Sequence, residues 1–157
     1  MPNWTATILT ITGEGVEKFI DAVRGETNLD FNTLCPMPED IGDDWYDWSC
    51  RNWGSKWNAA HVGNWELVNN QAKIRYDTAW SVSTPFFLTV SKLFPDLEFY
   101  QIFADEGGWF VGDHTICNGE ISENNYKWTS GKGIAIRKLL DYFEEDESSE
   151  DDGDIKR

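Results

Sequence analysis

The sequence predicts an α+β domain built on one antiparallel sheet, and three observations lead there. Short runs of β-branched and aromatic residues alternate with runs whose apolar residues recur at helical spacing. Tight-turn pairs, Asn69-Asn70 and Asn118-Gly119, join neighbouring strand-like runs. The composition is 40% hydrophobic and 26% charged over 157 residues, enough for one core without disulfide or metal staples.

Asn3 to Thr12, "NWTATILTIT", reads as a strand, and apolar residues on both of its faces make it central in its sheet. Gly13 and Gly15 end it. Val16, Phe19, Ile20 and Val23 then mark one stripe of a helix that stops at Gly25. Residues 26–60 carry Pro36, Pro38, Gly42, Gly54 and many acids and aromatics. They read as an ordered, aromatic-rich insertion with a helical turn near Ser55 to Ala60. Trp65 to Val68 and Ala72 to Asp77 form two strands around Asn69-Asn70. In the second, Ala72, Ile74 and Tyr76 alternate with Lys73, Arg75 and Asp77, so one face is buried and the other wet.

Thr84, as N-cap, and Pro85 open a second helix with Phe86, Val90, Leu93 and Phe94 as its stripe. Strands follow at 97–103, at 109–117 after the turn Asp105 to Gly108, and at 120–127. A last short helix holds Ile136, Leu139, Leu140 and Phe143. The order is βαββαβ plus a C-terminal hairpin and helix. It predicts a ferredoxin-like antiparallel sheet with two helices on one face. Residues 1–143 read as a single domain. Residues 144–157, with eight acids among them, read as a disordered tail.

The net charge is -15. The eight acids and two bases of the tail account for six of those charges, so nine remain elsewhere. Such a surface repels nucleic acid and anionic membranes and attracts basic surfaces; the simpler reading is that acidity serves solubility. Cys35, Cys50 and Cys117 have no metal-ligand spacing, so they read as reduced thiols of a protein in the cytoplasm of a bacterial host cell. The sequence Met-Pro-Asn-Trp-Thr has no signal-peptide pattern, and no apolar run has the length of a membrane span.

Three blocks carry a family resemblance: "LDFNTLCPMPEDI" (29–41), "RNWGSKWNA" (51–59) and "YDTAWSVSTPFFLTVSKLFPDLEF" (76–99). With Asn3-Trp4 and Leu9 to Gly13, they resemble the YubB-like proteins of bacteriophages and conjugative plasmids. That family has a ferredoxin-like domain and a largely unassigned activity. The resemblance spans residues 3–117 and implies the fold and a mobile-element origin. It departs at Val82-Ser83-Thr84-Pro85, where the family often has two prolines.

The candidate ligand or partner site is Asn52, Trp53, Lys56, Trp57, Asp77, Thr78, Trp80 and Ser81. Two indoles could sandwich a planar ligand while Asn, Lys and Asp read its edges. The structural alternative is that the tryptophans pin the insertion to the sheet and a Lys56–Asp77 ion pair fixes it. His61 and His114 lack a nucleophile in a recognised motif, and Asp43, Asp44 and Asp47 do not match a calcium loop. No catalytic residue, metal or cofactor is expected. The first functional reading is a non-enzymatic phage or plasmid accessory or inhibitor protein. It would bind a host protein with a basic surface, such as a defence component, by resembling nucleic acid. The alternatives are a nucleotide-binding or sequestering protein and, last, an enzyme of unknown reaction.

Overall fold

The computed structural model describes residues 3–141. The acidic tail and Phe143 lie outside the described residues. Six strands form one antiparallel sheet: β1 (Trp4–Thr12), β2 (Glu66–Val68), β3 (Gln71–Ala79), β4 (Glu98–Asp105), β5 (Val111–Cys117) and β6 (Glu120–Tyr126). Their spatial order is β2-β3-β1-β4-β5-β6. The first four strands have the ferredoxin-like arrangement, and the β5–β6 hairpin widens the sheet beyond β4. β1 is central, as its two apolar faces predict.

Among the described residues, five helices accompany the sheet: α1 (Val16–Val23), α2 (Phe31–Leu34), α3 (Trp45–Asn52), α4 (Thr84–Leu93) and α5 (Gly131–Leu139). On one face Leu9, Ile11, Ile74, Tyr76 and Phe99 pack against Val16, Phe19 and Ile20 of α1 and Phe86, Phe87 and Val90 of α4. Both predicted helices therefore share a face. Each fully buried phenylalanine contributes roughly 2 kcal/mol of transfer free energy. The opposite face carries Ala6, Ile102, Ala104 and Val111, which α5 covers with Ile136 and Leu140.

The tight turns follow from residue type. Asn118 and Gly119 both have positive φ, at 48° and 83°, as a two-residue hairpin requires, and Asn69 adopts φ 58°. Several boundaries differ from the sequence expectation. α4 is capped at Ser83 rather than Thr84, so Pro85 sits in the second helical position. α5 starts earlier than the apolar stripe suggests, because Ser130 Oγ accepts the Gly133 N–H and nucleates the turn ahead of two glycines.

The insertion departs most. Its helix is α3, not a turn at 55–60. Asp43 and Asp44 lie in a 3-10 turn that runs into α3, and Asp47 lies in its first turn, where carboxylates favour the positive helix end. Read as loop charges, they hid the helix. α2 is likewise short and capped: Asp30 Oδ1 accepts the Asn32 N–H at 2.9 Å.

A buried polar chain crosses the helix-covered face. His114 Nε2 donates to Gln101 Oε1, Gln101 Nε2 donates to Tyr76 Oη at 2.6 Å, and Tyr76 Oη lies 2.9 Å from Ser83 Oγ. Burial pushes the Tyr76 hydroxyl pKa up and holds His114 down at about 4. The folded state therefore takes up His114's proton less readily than the unfolded chain. Its contribution is present above about pH 6.5 and is lost as pH falls toward 4. Urea unfolding should show stability dropping across that window, by up to ~3 kcal/mol from this group. His114→Gln should flatten the drop; an unchanged slope would show that other groups cause it.

Candidate binding surface at the tryptophan rim

The segment 53–63 is placed by short polar contacts rather than by secondary structure. Trp53 continues α3 and is buried, its Nε1 donating to the Cys35 carbonyl at 2.9 Å and its ring packed on Phe31 and Trp48. Gly54 follows with φ 80°; a Cβ there would lie 2.4 Å from Pro85 Cδ. Only glycine allows this approach without strain. Ser55 Oγ accepts the Ala79 N–H at 3.0 Å. Asn58 is a hub: its Nδ2 donates to Asp30 Oδ1 at 2.7 Å, and its Oδ1 accepts the N–H groups of Phe31 and Ala59. Burial disfavours the charged Asp30 carboxylate. The bonds from Asn58 and from the Glu26 and Asn32 N–H groups outweigh it and hold the pKa below the usual value.

Ala60 then pairs with Asp77 through two backbone hydrogen bonds of 2.8 Å, and Gly63 donates to the Arg75 carbonyl. The chain thus runs along β3 beside the end of short β2. This brings His61, in the left-handed region at φ 52°, beside Asp77. Its Nδ1 lies 2.7 Å from Asp77 Oδ2, and Arg75 Nη1 lies 3.5 Å from Asp77 Oδ1. Opposite residues in a ladder point to the same side. Ala6 faces Asp77 and Trp4 faces Ala79, so Trp4, Ala6 and Asp77 share the face covered by α5. The His61 ring meets Trp4 edge-on at 4.8 Å, and Trp57 lies 6.1 Å from Trp4.

The eight sequence candidates therefore separate. Trp53 and Thr78 are buried, and Thr78 Oγ1 donates to the Ser81 carbonyl at 2.6 Å. Asn52 Nδ2 closes the end of α3 on the Trp48 carbonyl, and Ser81 Oγ donates to the Gly54 carbonyl. Lys56, Trp57, Asp77 and Trp80 face the rim. The expected Lys56–Asp77 ion pair is replaced. Asp77 is taken by His61 and Arg75, while Lys56 Nζ lies 4.7 Å over the Trp57 ring and 5.7 Å over Tyr46. Trp4 and Trp57 leave no slot between them, because a 6.1 Å separation at 43° is direct ring contact.

Other rim residues lie outside the sequence candidates: Trp4, Tyr46, His61 and Trp109. Trp4 forms reciprocal contacts with Glu106, whose N–H donates to the Trp4 carbonyl and whose Oε2 accepts the Trp4 N–H. Asp105 Oδ2 accepts the N–H groups of Gly107 and Trp109. Trp80, at φ 76°, donates its N–H to the Asn3 carbonyl. Trp80 and Trp109 consequently flank the start of β1 and are 51% and 81% exposed.

The family model described as the ferredoxin-like domain in Api92-like protein matches residues 52–150. The chain belongs to that family. All eight sequence candidates fall within the matched segment, whereas β1, α1 and most of the insertion precede it. A crystal structure of protein api92 from Yersinia pseudotuberculosis is similar, with a TM-score of 0.54 and 15% identity. The alignment covers 64% of this chain and 40% of that one, so this chain spans well under half of that protein's length. At that identity the likeness shows the fold. None of the curated proteins matches the chain. Among the described residues, no helix is long and apolar enough to cross a membrane.

Two tryptophans of one short motif should behave oppositely. Trp53→Ala leaves a cavity in the core and should cost about 3–5 kcal/mol of unfolding free energy. Trp57→Ala should cost about 1 kcal/mol or less. Chemical denaturation of both variants checks this; equal losses would place Trp57 in the core.

Proposed function

We propose that this protein is a non-enzymatic accessory or inhibitor protein that binds a host protein through its tryptophan rim. The observation that carries the reading is the pair of exposed indoles, Trp80 and Trp109, flanking the start of β1. Large exposed aromatics held on a rigid scaffold cost little side-chain entropy to bury and dominate many interfaces. The nine net negative charges outside the tail favour a partner with a basic surface, such as one that ordinarily holds nucleic acid. The resemblance of the N-W-G-S-K-W and D-T-A-W blocks to YubB-like proteins adds a phage or plasmid origin, with a host defence component as a partner of suitable chemistry.

Capture of the tagged protein's partner from bacterial lysate at low and high salt is the experiment. The expected result is a nucleic-acid-handling protein that is released by high salt and by added nucleic acid. Trp80→Ala and Trp109→Ala should each weaken recovery about tenfold or more. A complex indifferent to salt, to nucleic acid and to both substitutions would overturn the reading.

A further inference from the structure

We propose that Tyr46 and Trp57 form a seat for a lysine or arginine side chain of the partner, and that Lys56 occupies this seat until the partner's cation displaces it. The proposal rests on the basic-partner reading above and names its contact.

The two rings are held together before any partner arrives. Buried Ser49 Oγ lies 3.0 Å from the Tyr46 carbonyl oxygen and 2.9 Å from the Lys56 carbonyl oxygen, and its one proton, shared between them, ties both backbones at one point. Trp57 is in ring contact with Trp4. Tyr46 and Trp57 nevertheless remain 47% and 40% exposed. Lys56 Nζ lies over both rings, so this pair of faces already accepts an ammonium. That ammonium does not hold the segment in place. The backbone is fixed by Ser49, Ser55 and Asn58, and no carboxylate of the described residues lies within ion-pair distance of Lys56.

Charge selects the same occupant. Asp43 precedes Tyr46 by three residues, within one turn, and is exposed. An arginine from a partner would stack its planar guanidinium where the compact ammonium now sits and gain charge attraction as well. Displaced Lys56 would then be free to pair with an acid on the partner or return to water. The chain thus carries its own weak competitor for the seat.

Octa-arginine titrated into the full-length protein by calorimetry is the test. Lys73→Gln serves as the control, since it removes the same charge from an exposed position on β3. Lys56→Gln should tighten binding about two- to fivefold beyond Lys73→Gln, because it vacates the seat. Adding Trp57→Leu to Lys56→Gln should erase that gain. Peptide binding in which Lys56→Gln equals Lys73→Gln, or weakens binding, overturns the seat but leaves the basic-partner reading standing. Octa-arginine binding to no form at low salt overturns both.

Discussion

Strand β1 is fully buried on one face and partly buried on the other, and the rest of the architecture answers to that constraint. Leu9 and Ile11 face one way, Ala6 and Ile8 the other. A sheet with such a central strand needs a full cover on one side and a partial one on the other. α1, α4 and the insertion cover one side, and α5 covers part of the other. Arg75 ties the cover to the sheet: its Nη2 donates to the Leu140 carbonyl at the end of α5 while its Nη1 reaches Asp77. The same residue therefore links the added helix to the rim.

The insertion shows how a segment with only short helices is held in place. Its anchors are buried or half-buried polar groups with several partners each: Asp30, Ser49, Ser55 and Asn58. Such groups fix position more narrowly than apolar packing, because a displaced donor or acceptor loses its partner and is left desolvated. That rigidity is what lets Trp57 and Tyr46 stay exposed yet ordered. The neighbouring end of the sheet does the same for Trp80 and Trp109, through backbone bonds to Asn3 and to the Asp105 carboxylate.

Much of the fold was legible because it depends on local patterning. The period-2 run Ala72, Ile74, Tyr76, the helical stripe of α1 and the Asn-Gly hairpin all report backbone geometry directly. α3 escaped notice because Asp43, Asp44 and Asp47 look alike whether they solvate a loop or favour a helix start. The candidate site was half legible. The tryptophans and Asp77 stood out, but Trp53 and Trp57, four residues apart, have opposite fates, one in the core and one on the rim.

By itself, the sequence determined the order of the strands and of the helices outside the insertion, the central place of β1, the positive-φ turns and the acidity, since each follows from residue type or short-range period. Tertiary structure alone decided who meets whom at the rim. Asp77 takes His61 because residues 60–63 pair with β3, and Lys56 turns to aromatic faces because that carboxylate is already occupied. Such pairings depend on strand register and on chain reversals across many residues. No local pattern encodes them.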